Sequence, residues 1–216
     1  MENKRALIAG GSGLVGKHLC DLLTKENQYE AIFSLVRKHS KKPPNNLTEI
    51  IVNFDDLEKT ELGSTVQEAY CCLGTTMKKA GSKDAFYKVD FEYVLAFAEY
   101  ALKNGASKFL LITSMGADPH SLFYYNQVKG KIEKAISKLA FDGIHIFRPS
   151  MLLGNRQESR FGESIGKTVF NIFDPIIPAN YKGIEGEQVA KGMLVQAKKD
   201  TKGVHIHESG AIRKMA

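Results

Sequence analysis

Leu7-Ile8-Ala9-Gly10-Gly11-Ser12-Gly13-Leu14-Val15-Gly16 is the stretch around which the chain is organised. The apolar run Ala6 to Ala9 reads as a buried strand, and four glycines follow at 10, 11, 13 and 16. Leu14, Val15, Leu19, Leu22 and Leu23 then recur on one helical face. Strand, tight turn and helix in this order bring backbone N–H groups to the end of a helix, where an anion is favoured. Two spacings overlap: Gly11, Gly13 and Gly16 fit G-x-G-x-x-G, and Gly10, Gly13 and Gly16 fit G-x-x-G-x-x-G. Gly10, Ser12, Gly13, Leu14, Val15 and Gly16 are therefore candidates to line the pyrophosphate of a dinucleotide.

Working outward, the pattern alternates. Ala31 to Val36 reads as a second strand and Leu47 to Val52 as a third, and Asn53 to Leu57 opens a short helical turn. Glu68 to Leu73 reads as a fourth strand, Lys78 to Lys83 as a polar loop, and Asp84 to Asn104 as one long helix stopped by Gly105. Lys108 to Thr113, a helix over Phe123 to Leu139, and Gly143 to Phe147 follow. Such alternation predicts an α/β fold: a doubly wound parallel sheet of order 3-2-1-4-5-6, with its ligand at the carboxyl ends of the strands. Beyond Arg148-Pro149 the pattern loosens over 150–183, around one helical stretch at Ser164 to Phe173. A helix at Gly186 to Lys198 and a strand at Gly203 to His207 then close the pattern. This region is too short for a second core, so residues 1–216 read as a single domain with 150–183 as a substrate-side lid.

Composition narrows the function classes. The chain has 216 residues, 43% of them hydrophobic, and no run of eighteen apolar residues that could span a membrane. The first strand begins almost at Met1, which leaves no room for a signal peptide and gives a cytoplasmic expectation. Cys71 and Cys72 are sequence neighbours on a strand and point to opposite faces, so with Cys20 they read as buried free thiols. The net charge of +6 permits anionic partners. The basic clusters Arg37-Lys38, Lys41-Lys42 and Lys78-Lys79 nevertheless lack the interleaved aromatics of a nucleic-acid platform. His205 and His207 share one strand face without an evident third ligand, which reads as two ordinary histidines rather than a metal site. Phe86, Val89, Tyr93, Val94, Phe97 and Ala101 form an apolar stripe that suits packing on the sheet, and the chain is expected to be a monomer or a homodimer.

The strand ends carry the chemistry. No acid lies between Ala31 and Ser40, where an NAD-type site places one for the ribose hydroxyls; Arg37 and Lys38 stand there instead. A cation pair suits a 2′-phosphate, so the expected cofactor is NADPH. Further cofactor contacts are expected at Phe54 and Asp55 after the third strand, and at Leu73, Gly74, Thr75 and Thr76 after the fourth. Arg148 and Pro149, after the sixth, complete that set. Tyr125 and Lys129 are one helical turn apart, on the helix after a strand that ends in Thr113-Ser114. An ordinary tyrosine, with a pKa of about 10, is a poor proton donor or acceptor at neutral pH, and a nearby ammonium improves it. Tyr125 is thus the candidate acid/base and Lys129 its partner and the holder of the nicotinamide ribose. Ser114 is the candidate donor to a substrate carbonyl, with Thr113 and Met115 left open for that role.

With these residues in hand, the chain resembles the atypical short-chain dehydrogenase/reductases, and among them the Tat-interacting oxidoreductase-like proteins. The runs that carry the likeness are Gly10 to Gly16, Cys71-Cys72-Leu73-Gly74-Thr75-Thr76, Lys79-Ala80-Gly81, Val89-Asp90, Gly116-Ala117-Asp118, Gln127-Val128-Lys129-Gly130, Phe147-Arg148-Pro149 and Asn155 to Arg160. The resemblance implies a Rossmann fold that binds NADPH, with Tyr125 and Lys129 as the catalytic pair, and hydride transfer to or from a small carbonyl or alcohol. A cofactor-binding regulator without turnover is the alternative. Better-known members of the superfamily carry an asparagine where this chain has Asp90.

Asn155 to Glu163 leaves the carboxyl edge of the sixth strand and is dense in polar groups. It reads as the substrate-side strap, with Arg156 or Arg160 binding an anionic group, Gln157 orienting a carbonyl and Phe161 excluding water. Arg160→Ala should accordingly weaken NADPH or substrate binding more than it lowers the melting temperature. Normal binding by that variant, with cleavage in 155–163 indifferent to ligands, would leave the segment an ordinary loop.

Overall fold

The computed structural model describes residues 3–154, 178 and 180–216. The first strand, β1 (Lys4–Ala9), lies in the interior of a seven-stranded sheet, and its residues alternate between two apolar clusters. Leu7 and Ala9 face one cluster while Ala6 and Ile8 face the other, as the two-residue period of a strand requires. Helix α1 (Leu14–Leu23) covers the second face with Val15, Leu19, Cys20 and Leu23. Around β1 the sheet adds β2 (Tyr29–Val36), β3 (Leu47–Ile51), β4 (Glu68–Cys71), β5 (Lys108–Ile112) and β6 (Gly143–Arg148). The last strand of the sheet, Gly203–Glu208, pairs parallel to β6. The spatial order is the expected 3-2-1-4-5-6, extended by one strand at the β6 edge.

Several local expectations need correction. The polar loop at Lys78 to Lys83 contains a short helix, α2 (Met77–Ala80), because Thr76 accepts the Lys79 N–H and Gly81 ends the turn with φ +81°. The long helix over Asp84 to Asn104 is broken into α3 (Lys83–Tyr87), a π-turn (Lys88–Glu92) and α4 (Tyr93–Lys103). The π-turn seats Asp90 with no exposed surface. The apolar stripe along these segments is core: Phe86, Val94, Phe97 and Ala101 are buried within the chain. Helix α5 (Tyr124–Ile136) starts one residue later than expected, since Phe123 is extended (φ −86°, ψ 115°).

After β6 come a small two-stranded sheet, β7 (Leu152–Leu153) with β8 (Ile184–Glu185), and helix α6 (Gly186–Ala197). The last strand, here β9, is followed by α7 (Ser209–Met215), a helix the sequence pattern did not announce. It anchors the returning chain: Gly210 N–H donates to Asn180, and Arg213 donates to the carbonyls of Lys182 and Gly183. The helical stretch expected at Ser164 to Phe173 lies outside the described residues, as does most of the expected lid.

At the β6–β9 edge the register brings His145 beside His205 and His207. The rings stack at centroid distances of 5.1 and 5.3 Å, and His145 Nδ1 and His207 Nε2 share a hydrogen bond of 3.0 Å. The other bonded nitrogens point apart, His145 Nε2 to the Thr201 hydroxyl at 2.9 Å and His205 Nε2 to the Lys202 carbonyl at 2.8 Å, and no cluster among the described residues could hold a metal ion. Burial, with the neighbouring histidines and lysines adding to it, lowers the pKa of both His145 and His207 to about 4. Histidines neutral in the fold but protonatable near 6.5 when unfolded stabilise fully above that pH and progressively less as pH falls toward 4. Discounted for the partial exposure of His207, the loss should be on the order of 1–3 kcal/mol. Urea unfolding of wild type and His207→Gln between pH 7 and 4 checks this, since their difference removes the carboxylates. Parallel profiles would refute it.

Candidate dinucleotide and proton-transfer site

At the carboxyl end of β1 the backbone turns at Gly10 with φ +82°, where a Cβ would stand 2.5 Å from the Cys72 backbone. At Gly16 a Cβ would stand 2.1 Å from the Gly10 carbonyl oxygen. Both glycines thus let α1 start directly against the strand end. The Gly13 N–H closes the turn on the Gly10 carbonyl at 3.0 Å. Among the described residues no side chain caps α1 and no acid occupies its first turn, so its amino end offers N–H groups to a ligand. Ser12 and Gly13 are exposed there, Leu14 is half-buried, and Val15 and Gly16 are buried, so only their amides could serve a ligand. This is a cradle that fits a pyrophosphate.

Arg37 and Lys38 follow β2 and are exposed. The nearest acid on the neighbouring strand, Glu49, is engaged elsewhere: it accepts the Ser40 N–H at 2.9 Å and lies 3.2 Å from His39. Burial acts to raise its pKa, but these hydrogen bonds outweigh burial and hold it low. Among the described residues neither Arg37 nor Lys38 has an acidic partner. After β3, Asn53 caps a short 3-10 helix (Phe54–Lys59) through the Asp55 N–H. Phe54 is buried with its ring 5.4 Å from Tyr93. Asp55 pairs with Lys88 at 2.7 Å and accepts from the Tyr93 hydroxyl at 3.1 Å. The Lys88 hydrogen bond is the chief reason the Asp55 carboxyl lies below its ordinary range.

Beyond β4, Leu73 and Thr75 are half-buried and Gly74 is exposed. The Thr75 N–H donates to Asp90 Oδ2 at 2.9 Å, and Thr76 caps α2. On α5, Lys129 is 4% exposed and its Nζ lies 2.7 Å from Asp90 Oδ1. Burial acts to lower the Lys129 pKa, and Asp90 and then Tyr125 more than offset it, so the net shift is upward. Tyr125 sits one turn earlier, half-buried, its ring 5.3 Å from that of Phe86. Ser114 Oγ is buried without a hydrogen-bond partner among the described residues. The Thr113 hydroxyl, by contrast, donates to Glu133 at 2.6 Å. Of the three positions left open for the serine role, Ser114 is the one with an unengaged hydroxyl.

Two residues of this region, Glu133 and Glu208, escape the sequence reading. Glu133 follows Lys129 by four, on the same face of α5, and takes Arg148 in a bidentate grip. Arg148 also donates to Glu208 at 3.1 Å, so the structure gives its guanidinium the task of fastening β6 and β9 to α5. Pro149 is buried, and its carbonyl accepts the Met115 N–H at 2.9 Å. Asp90 was noted as a departure, but its direct pairing with Lys129 was not foreseen. The spacing Tyr125, Lys129, Glu133 was the available signal for Glu133. Arg156, Gln157 and Arg160 lie outside the described residues.

The profile of the NAD dependent epimerase/dehydratase family matches residues 6–139. Protein HTATIP2 of Rattus norvegicus is 38% identical over 174 residues, 79% of this chain and 72% of that protein. Protein FMP52, mitochondrial, of Candida albicans is 34% identical over 172 residues, 76% of this chain and 74% of that protein. Among solved structures, UDP-N-acetylglucosamine 4-epimerase from Methanobrevibacter ruminantium M1 superposes with a TM-score of 0.70 at 18% identity, covering 96% of this chain and 77% of that one. Human epimerase family protein SDR39U1 (isoform2) with NADPH superposes with a TM-score of 0.63 at 17% identity, covering 94% and 74%. At such identities the structures establish a shared fold.

The Glu133 network makes a separate expectation. Removing Glu133 leaves Arg148 with Glu208 alone and Thr113 with only a long contact to the Phe147 carbonyl, so Glu133→Ala should cost about 2 kcal/mol of stability, as for lost hydrogen bonds to a charged group. Urea unfolding checks it; a loss below about 0.5 kcal/mol, the range of ordinary surface substitutions, would contradict the account.

Proposed function

Because the chain belongs to the NAD dependent epimerase/dehydratase family, we propose that it is an oxidoreductase that takes NADPH in preference to NADH. It moves a hydride between that cofactor and a small carbonyl or alcohol. One observation carries the reading: half-buried Tyr125 stands one helical turn before the buried, charged Lys129, and Ser114, at the end of the preceding strand, keeps a hydroxyl without a partner among the described residues. The nicotinamide, when bound, supplies or accepts the hydride. Gly10, Ser12, Gly13, Leu14, Val15 and Gly16 hold the pyrophosphate through backbone N–H groups. Arg37 and Lys38 take the 2′-phosphate, where no acid competes.

Ser114 hydrogen-bonds the substrate oxygen, and Tyr125 gives a proton to that oxygen or takes one from it as the hydride moves. Lys129 sets its ammonium one turn along the helix from that phenol and holds the nicotinamide ribose. We keep the protein in the cytoplasm, in line with free Cys20, Cys71 and Cys72.

NADPH should bind at least tenfold more tightly than NADH, about 1.4 kcal/mol. Changing Arg37 to Asp together with Lys38 to Ala should invert the order. Titration by nicotinamide fluorescence decides, and equal affinities would remove the 2′-phosphate assignment. Tyr125→Phe should abolish turnover of a screened carbonyl panel with little effect on NADPH affinity. An undiminished rate would remove the mechanism. Tight NADPH binding by a wild type without turnover would point to the regulator.

A further inference from the structure

We propose that Asp90 is a positioning residue: it holds the buried Lys129 ammonium in its charged state and aims it at the dinucleotide edge. This rests on the cofactor reading above. A lysine enclosed by protein is driven toward the neutral amine, because burial penalises its charge. The groups that face Lys129 are Asp90 from the π-turn, Tyr125 from its own helix and Cys71 from β4. Burial is the main cause that pushes the Cys71 thiol up to about 12, so it supplies no anion at neutral pH. Among the described residues Asp90 is left as the carboxylate that compensates the ammonium, at 2.7 Å.

The geometry fixes that carboxylate from both sides. Oδ2 takes the Thr75 N–H at 2.9 Å, so the chain leaving β4 holds Asp90 while Asp90 holds Lys129. The π-turn puts Asp90 at this spot with no exposed surface. Gly74 leaves the approach open, since a Cβ there would stand 3.4 Å from Asp90 Oδ1 and 3.6 Å from Lys129 Nζ. An ammonium has three donors, so beside its ion pair with Asp90 it can still serve Tyr125 and a ribose hydroxyl. An asparagine in this place could orient the lysine but could not balance its charge.

The test uses the full chain as wild type, Asp90→Asn, Lys129→Met and the double variant, with NADPH affinity followed by fluorescence from pH 7 to 9.5. Wild type should hold its affinity across the range. Asp90→Asn should weaken by about fivefold or more as pH rises, approaching Lys129→Met, because an unbalanced buried lysine loses its proton. Lys129→Met and the double variant should bind weakly and show no such slope. An Asp90→Asn profile parallel to wild type overturns the proposal.

Urea unfolding without cofactor separates this from the cofactor reading. Unfolded Lys129 keeps its proton up to about 10.4, whereas the folded Asp90→Asn protein would release it earlier. That variant should therefore gain stability relative to the double variant as pH rises. If wild type binds no NADPH, the cofactor assignment falls and the urea slope alone decides the role of Asp90; a flat slope rejects it. Should Asp90→Asn fail to fold while the double variant folds, the stranded ammonium is the cause and the proposal stands. If Lys129→Met folds and the double variant does not, Asp90 serves Thr75 and the packing instead, and the proposal fails. It fails too if Lys129→Met itself does not fold.

Discussion

A helix can start flush against the end of a strand only where no side chain stands between the two backbones. In this chain that condition falls on Gly10 and Gly16, whose missing Cβ atoms would collide with the Cys72 backbone and the Gly10 carbonyl. Because α1 comes in close, its uncapped amino end faces the carboxyl edge of the sheet, and β1 is free to pair with β2 on one side and β4 on the other. The two core clusters, one on each face, follow from that interior placement. A side chain at either glycine would move the helix, and with it the place where an anion can be held.

The second organising element is α5, which carries charge into the interior at two levels. Lys129 meets Asp90, and one turn later Glu133 meets Arg148 and Thr113. Dry charges are costly unless each finds a counter-charge and hydrogen bonds; both pairs have the counter-charge, Glu133 is hydrogen-bonded by Arg148 and Thr113, and Asp90 takes the Thr75 N–H. The lower pair ties α5 to β5, β6 and β9 through Thr113, Arg148 and Glu208. The upper pair lies beside the chain leaving β4. Tyr125 therefore stands on a helix clamped below and charged alongside, which limits how far its phenol can wander.

Much of this was legible in the residues, for a physical reason. Buried parallel strands write themselves as apolar runs, and glycine turns mark where they end, so the sheet order and the strand ends carrying Arg37, Thr75 and Ser114 could be read directly. What could not be read depends on contacts between distant segments. Lys129 with Asp90, and Arg148 with Glu133 and Glu208, join residues whose separation hides their meeting. The break of the long helix was invisible because Phe86, Val94 and Phe97 keep an apolar rhythm on both sides of it. His145 joined the other two histidines only when β9 took its register beside β6. The role given to Asn155 through Glu163 rests on sequence alone.

The π-turn at Lys88–Glu92 amounts to one residue more than a regular helix would use between α3 and α4. Such a turn is removable by a single-codon deletion, which would give a smoother helix and better local hydrogen bonding. Each residue of an α-helix turns the next by about 100°, so that deletion would also swing whatever lies on one side of it away from its present neighbours. Either the Phe86 end or the Val94 and Phe97 end would lose its seat on the sheet, and Asp90 would rotate out of reach of β4. The irregularity is therefore held in place from both ends. A lineage could regularise this helix only by replacing a counter-charge and part of a hydrophobic core in the same step.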